Sequence, residues 1–233
     1  MGEEVRMSVL AENYKRILEQ VRELQCSLRQ DPLTLIAVSK SQGIDALVEL
    51  YHLGHRDFGE NYAQELISKD DAFKARGLLD VRWHFIGHLQ SNKVKAILPR
   101  VYAIHTVSSL KLAREISHRA SQVYPALSKV PIFIEVNLHR EPSKSGIHPE
   151  DVISLVQEIS TVSGIELLGL MCVPDPQQDS AAAFQMLAEL EIQCRPYTQG
   201  KLSMGMSSDF ESAIQKGSTH IRLGTILFGK REF

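Results

Sequence analysis

The sequence of 233 residues contains little cysteine and almost no net charge. Its three cysteines, Cys26, Cys172 and Cys194, are odd in number and far apart. That arrangement excludes a disulfide framework and a CxxC metal site, and it indicates reduced thiols in a cytoplasmic protein. The formal net charge of −2 excludes the basic surface that nucleic acid or an anionic membrane attracts, so we expect neither as a partner.

Long hydrophobic runs are absent as well. No stretch approaches the roughly 20 consecutive apolar residues that cross a membrane. Residues 1–6 carry acidic side chains and lack the features of a signal peptide, which again indicates a cytoplasmic location. The chain is 43% hydrophobic and 23% charged, a globular composition that is sufficient to bury a full core.

Strand and helix patterns alternate along the chain. Residues 3–28 are predicted to form an amphipathic helix, because apolar residues recur there at three- and four-residue spacing. Eight apolar strand patterns follow, and each precedes a helical pattern. Strict alternation is typical of an open doubly wound sheet or of a closed (β/α)8 barrel.

A barrel explains the length of the chain better than an open sheet does. Eight units in about 200 residues lie at the small end of the range for barrels, and no Pro-, Gly- or Ser-rich linker divides them. We therefore predict one α/β domain over residues 1–233, a (β/α)8 TIM-type barrel with an additional N-terminal helix over residues 3–28. A complete barrel of this kind is expected to be a monomer.

The carboxyl ends of barrel strands form one face, and ligands bind there. Amines, amides, hydroxyls and a guanidinium are expected on this face, whereas no pair of carboxylates is evident. The side chains placed there by the predicted strand ends are Lys40, Asn61, His88, His105, Asn137, Cys172, Ser207 and Arg222.

Lys40 follows the first predicted strand, residues 33–39, which is almost wholly apolar. A lysine at a strand end is usually solvated, and that interpretation stays open for Lys40 taken alone. Little polar surface surrounds such a strand, however, which favours the alternative that Lys40 is a reactive amine in a ligand site.

The turns after the seventh and eighth strands resemble a phosphate site. Gly205 and Ser207 lie in the first turn, and Gly224 and Thr225 in the second. Barrels commonly bind phosphate at these two loops, on the free amides of a helix N-terminus. Ser207 and Thr225 could instead be simple helix N-caps, but two such turns on adjacent strands favour the phosphate site.

Barrel closure makes the first strand a neighbour of the eighth. Lys40 then lies opposite the phosphate turns, and Arg222 lies between them. This arrangement suits a phosphorylated aldehyde that is held as a Schiff base, and pyridoxal phosphate is the commonest such group.

Seven segments spread over almost the whole chain carry a family resemblance. They are residues 37–40 (AVSK), 58–61 (FGEN), 84–93 (HFIGHLQSNK), 143–146 (SKSG), 169–172 (GLMC), 202–207 (LSMGMS) and 221–225 (IRLGT). In this order they resemble the YggS/PROSC family of pyridoxal-phosphate homeostasis proteins. The resemblance implies a barrel of the alanine-racemase type, without the second domain of that enzyme.

The resemblance also implies roles for individual residues. Lys40 corresponds to the lysine that holds the cofactor covalently, and Arg222 is implied to face the pyridine nitrogen. Asn61 is implied to lie close to the ring. The implied phosphate-binding residues are Ser207, Gly224 and Thr225.

Two loops at the predicted mouth depart from the family pattern. The family often has Thr-Lys-Pro after its lysine, where this chain has Ser41-Gln42-Gly43. It usually has a Gly-Glu pair where this chain has His139-Arg140-Glu141. These departures concern access of partners and ligands more than binding of the cofactor.

An arginine opposite the pyridine nitrogen restricts the chemistry of the cofactor. Arginine stays protonated, so the ring nitrogen remains an acceptor and the ring is a weak electron sink. A racemase also needs a second base, and no tyrosine is expected at a strand end. We therefore expect no enzyme and no catalytic residue, but a protein that buffers pyridoxal phosphate and delivers it to apo-enzymes.

Two enzymes remain as alternatives, and a metal site is not expected. The first is a pyridoxal-phosphate-dependent amino-acid racemase of the same fold. The second is a sugar-phosphate enzyme that uses Lys40 as an aldolase-type amine, although such lysines usually lie on later strands. His84 and His88 stand four residues apart, but they belong to a strand and lack a third ligand nearby.

Overall fold

Eight parallel strands close into a barrel in which each strand pairs with its neighbours in sequence order, and β8 pairs with β1. The computed structural model describes residues 7–28, 33–123, 129–142 and 144–229. The predicted (β/α)8 barrel is confirmed. The strands are β1 (Thr34–Val38), β2 (Asp57–Glu60), β3 (Arg82–Phe85), β4 (Val101–Val107), β5 (Val130–Val136), β6 (Ile165–Cys172), β7 (Lys201–Ser203) and β8 (His220–Leu223).

Helices follow the strands and form the outer layer. Short 3-10 turns at Ser91–Lys93 and Pro149–Asp151 lead into the helices that begin at Val94 and Val152. The helices are α1 (Val9–Leu28), α2 (Ile44–His52), α3 (Ala63–Ala75), α4 (Val94–Ile97), α5 (Leu110–Val123), α6 (Val152–Ser160), α7 (Ser180–Cys194), α8 (Phe210–Gln215) and α9 (Thr225–Phe228).

The main hydrophobic core lies between the strands and the helices. Phe58 on β2 and Trp83 on β3 pack against Phe73 on α3, with ring centroids 5.8 and 5.5 Å away. The indole N–H of Trp83 donates to Asp70 Oδ1 at 3.1 Å, so this buried polar atom is satisfied. Aromatic contacts of this kind fix α3 on the strands that precede and follow it.

The N-terminal helix covers the flank of the barrel where β8 meets β1. Tyr14, Ile17 and Val21 are buried on one side of α1, which contacts α2, α8 and α9. The helix begins at Val9, later than predicted. Residues 3–6 of the predicted helix lie outside the described residues.

The seventh strand is shorter than the sequence pattern predicts. It ends at Ser203 rather than at Met206, because Gly205 has a φ of 95°. That left-handed conformation cannot continue an extended strand, and glycine adopts it without steric cost. Met206 and Ser207 therefore lie in a loop beyond the strand.

No helix within residues 7–28, 33–123, 129–142 and 144–229 is both long and apolar enough to cross a membrane. The three cysteines are free thiols, of which Cys26 is exposed and Cys172 and Cys194 are buried.

Candidate cofactor site

A cavity of about 820 Å3 opens at the carboxyl ends of β1 and β8. The structure brings all the site residues proposed from the sequence to its wall. These residues are Lys40, Asn61, Ser207, Arg222, Gly224 and Thr225.

Lys40 lies two residues beyond β1, in a turn that is anchored on both sides. Before it, the Ser39 hydroxyl donates to Glu60 Oε1 at 2.6 Å. After it, the backbone N–H of Ser41 donates to Glu65 Oε2 at 2.8 Å, and Ser41 has a φ of 61°. A left-handed serine is unfavourable by itself, so its hydrogen bond to Glu65 stabilises the turn that presents Lys40.

A buried lysine joins these two anchors. Lys69 Nζ donates to Glu60 Oε1 and to the Ser39 carbonyl, both at 2.7 Å, and to Glu65 Oε2 at 3.1 Å. Glu60 is fully buried and Lys69 is 8% exposed. Burial raises the pKa of Glu60, while the hydrogen bond from Lys69 acts in the opposite direction. This ion pair holds the turn that carries Lys40 in place, and no sequence pattern predicted it.

Arg222 is a buried cation at the wall of the cavity. Its Nη1 donates to Ser203 Oγ at 2.7 Å, and its Nη2 donates to the Cys172 carbonyl at 2.9 Å. Arg222 is 4% exposed, and burial lowers the pKa of its guanidinium. An arginine nevertheless keeps its proton inside proteins, so the cavity has a fixed positive charge.

Ser207 connects the two loops proposed for phosphate. Its Oγ accepts from the backbone N–H groups of Gly224 and Ile226, both at 3.3 Å. Ser207 therefore does not cap α8, which follows it, but contacts the start of α9. Thr225 is the first residue of α9 and is not its N-cap. The simple N-cap interpretation is wrong for both residues.

The donors and acceptors on the cavity wall fit pyridoxal phosphate. An amine at Lys40 suits an aldehyde, and the hydroxyls and amides of the two loops suit a phosphate. Asn61 Oδ1 is buried without a hydrogen-bond partner among the described residues. A ligand hydroxyl would satisfy that acceptor, and buried polar atoms in native proteins are generally satisfied.

Glu135 is a titratable residue whose environment could not be foreseen from the sequence. It lies on β5, and its Oε2 is buried without a hydrogen-bond partner within the described part of the chain. Burial raises the pKa of Glu135 to about 7, although the charge of Arg222 acts against this. The only signal in the sequence was a carboxylate one residue before the end of an apolar strand.

The remaining strand-end residues do not line the cavity. His88 is exposed and hydrogen bonds through Nδ1 to Ser145 Oγ at 3.1 Å. Asn137 holds its own loop, since its Oδ1 accepts from the Glu141 N–H at 3.0 Å. Burial raises the pKa of the Cys172 thiol to about 12, which makes this thiol a poor nucleophile.

The SKSG motif includes Ser143, which lies outside the described residues. The described ranges contain no group of three or more side chains that could hold a metal ion.

Comparison with known proteins gives matches over almost the whole chain. Residues 12–232 match the family model described as alanine racemase, N-terminal domain. A pyridoxal phosphate homeostasis protein of Pseudomonas aeruginosa is 39% identical over 232 residues, which cover 97% of this chain and 98% of the relative.

Solved structures share the fold. PipY of Synechococcus elongatus PCC7942, solved with PLP bound, has a TM-score of 0.82 at 30% identity and covers 94% of this chain and 100% of its own. An alanine racemase of Clostridium difficile 630 has a TM-score of 0.72 at 13% identity, with 95% of this chain and 58% of the racemase covered. The likeness to the racemase concerns the fold alone.

Replacement of Lys69 by methionine is expected to destabilise the protein by about 3–5 kcal/mol, because it leaves the buried Glu60 carboxylate without its partner. Lys74→Met is the matched control. Lys74 pairs with Asp70 on the same helix, but its side chain is 50% exposed, so the expected loss is about 1 kcal/mol or less. Urea unfolding at neutral pH measures both values, and equal losses would contradict a structural role of the buried pair.

Glu135→Gln is expected to change the pH dependence of stability. The pKa of Glu135 is raised to about 7 in the folded protein, so its contribution is intact below the unfolded pKa and is lost as the pH rises through the folded pKa. The free energy of unfolding of the variant should therefore equal that of the wild type near pH 4.5 and exceed it by about 1–3 kcal/mol near pH 8.

Thermal or urea unfolding at the two pH values checks this expectation. Glu158→Gln removes an exposed carboxylate on α6 and serves as control, with no comparable gain at pH 8. A Glu135→Gln variant that is less stable than the wild type at pH 8 would contradict the assignment.

Proposed function

Because this chain belongs to the alanine racemase N-terminal domain family and to the pyridoxal phosphate homeostasis proteins, we propose that it binds pyridoxal phosphate for intracellular buffering and delivery. The convergence of Lys40, Asn61, Arg222 and the two phosphate loops on one cavity carries this proposal. PipY, which shares the fold at 30% identity, was solved with PLP bound.

Lys40 holds the cofactor covalently, as a Schiff base on its Nζ. Ser207, Thr225 and the backbone at Gly224 bind the phosphate, and the Asn61 side chain lies near the ring. When bound, the cofactor supplies an electron-withdrawing ring and a reactive aldehyde. The anchored turn at residues 39–41 fixes the amine at one side of the cavity, and the phosphate loops fix the other end of the ligand.

Arg222 makes catalysis unfavourable. Its guanidinium donates a hydrogen bond to the pyridine nitrogen but does not give up its proton, so the ring stays a weak electron sink. Among the described residues that line the cavity, Lys40 and Arg222 are the titratable side chains. A lysine without an opposed second base is suited to holding and releasing the cofactor rather than to racemisation.

The recipients are apo-enzymes that require pyridoxal phosphate. We propose that the protein acts on them as a monomer in the cytoplasm. The free state of Cys26, Cys172 and Cys194 supports a reducing compartment. Release of the cofactor through the open mouth of the cavity would require water to hydrolyse the covalent link, which returns Lys40 as a free amine and the cofactor as its aldehyde.

Reductive trapping tests the covalent link. After incubation with pyridoxal phosphate and borohydride, peptide mass spectrometry should find the cofactor on Lys40 in the wild type and not in Lys40→Ala. Lys95→Ala removes an exposed lysine from α4 and should leave the modification intact. Modification of a different lysine, with Lys40 untouched in the folded wild type, would refute the proposed site.

A second experiment separates delivery from catalysis. Protein loaded with pyridoxal phosphate is mixed with an unrelated apo-enzyme, and recovery of that enzyme's activity is followed over time. We expect recovery with the wild type and little with Lys40→Ala taken through the same loading and desalting. Alanine racemisation by the loaded protein should not exceed that of free cofactor. Racemisation that depends on Lys40 would instead support the racemase alternative.

A further inference from the structure

A continuous chain of hydrogen bonds runs through the interior of the barrel and ends on Arg222. Asp57 Oδ1 lies 2.9 Å from His84 Nε2, and His84 Nδ1 lies 3.0 Å from His105 Nε2. His105 Nδ1 lies 2.9 Å from Ser203 Oγ, and Ser203 Oγ accepts from Arg222 Nη1 at 2.7 Å.

The five side chains that form this series of hydrogen bonds are all shielded from solvent. Asp57 is 8% exposed, and the other four side chains are between 0 and 4% exposed. Phe133 stacks on the His105 ring at 4.5 Å. Five different strands, β2, β3, β4, β7 and β8, supply one side chain each. At the far end, the Arg82 guanidinium pairs with Asp57 near the opposite mouth of the barrel.

The two residues at the ends of this series of hydrogen bonds, Asp57 and Arg222, fix the direction of every hydrogen bond between them. Burial opposes the ionisation of Asp57, but hydrogen bonds from Arg82 and His84 keep the pKa of Asp57 below its ordinary value. Asp57 is therefore an acceptor, whereas Arg222 is a donor only. Burial lowers the pKa of both His84 and His105, so each ring is neutral, with one donor and one acceptor.

A single arrangement of protons satisfies all four hydrogen bonds. His84 donates from Nε2 to Asp57 and accepts at Nδ1 from His105 Nε2. His105 then accepts at Nδ1 from the Ser203 hydroxyl, which leaves the Ser203 oxygen to accept from Arg222. Reversal of either ring would set two acceptors or two donors against each other. Both histidines are thus Nε2–H tautomers.

We propose that Ser203 and His105 are positioning residues that orient Arg222 toward the ring nitrogen of the cofactor, with Asp57 as the anchor that fixes their proton order. The described residues place no carboxylate within ion-pair distance of Arg222. Its neutral partners, Ser203 Oγ and the Cys172 carbonyl, therefore hold the guanidinium without reducing its charge toward the ligand. The role toward the cofactor rests on the proposed function; the proton order does not.

Two ligands and one substitution test the positioning role. The probes are pyridoxal phosphate and its analogue in which a C–H group replaces the ring nitrogen. Ser203→Ala should weaken binding of pyridoxal phosphate about tenfold, as expected for loss of a hydrogen bond to a charged group that orients a ligand contact. It should weaken binding of the analogue less than about twofold, because the analogue lacks the nitrogen that Arg222 contacts.

Ser218→Ala is the matched control. Ser218 is also a buried serine, 4% exposed, but its hydroxyl donates to the Met204 carbonyl and is not part of the series of hydrogen bonds from Asp57 to Arg222. It should change neither affinity appreciably. Equal losses of affinity for both ligands in Ser203→Ala would overturn the positioning role. Failure of the wild type to bind pyridoxal phosphate would instead refute the proposed function.

A measurement on the unsubstituted protein tests the proton order without any cofactor. Nitrogen-15 NMR of histidine-labelled protein should show the rings of His84 and His105 as neutral Nε2–H tautomers at neutral pH. Signals are assigned by their disappearance in His84→Gln and His105→Gln. An Nδ1–H tautomer or a doubly protonated ring at either position would contradict the proposed order of protons along these hydrogen bonds.

Discussion

Pairing of the first strand with the last is the constraint on which the site depends. Ile36 on β1 lies in register with Arg222 on β8, and Ala37 with Leu223. That register carries the turn at Lys40 to the same cavity wall as Arg222, although the two stand 182 positions apart in sequence. A closed barrel also leaves no free strand edge at this point. The amine, the guanidinium and the phosphate loops therefore share one rigid frame.

The two cations of the site are supported in different ways, and the difference suits their proposed tasks. The Lys40 turn is held through its neighbours, by an ion pair of Lys69 and Glu60, while the Lys40 side chain lines the cavity. Arg222 is held directly, by hydrogen bonds from its own guanidinium to neutral groups. A group that forms and breaks a covalent bond needs a fixed backbone, whereas a permanent charge needs a fixed side chain.

Sequence patterns predict the barrel and the residues on its rim because both follow from local features. Alternating strands and helices gave the fold class, and the predicted strand ends gave Lys40, Asn61, Ser207 and Arg222. The same reasoning also gave residues that do not line the cavity, namely His88, His105, Asn137 and Cys172. The family inferred from the motifs is confirmed by relatives over 97% of the chain. The predicted end of β7 was wrong, because it lay three residues beyond the observed end at Ser203. The left-handed conformation of Gly205 depends on tertiary contacts.

Interactions across the barrel interior were beyond such patterns, because they join residues from distant strands. His105 and Ser203 are 98 positions apart, and each looks locally like an ordinary strand residue. Barrel interiors are usually filled by branched apolar side chains, and a buried polar group without a partner is costly. A line of buried polar residues is therefore tolerated only where its members are hydrogen bonded to one another, as they are here. The member that reaches the cavity is Arg222, so this polar line holds one charge in a fixed place at the cavity wall.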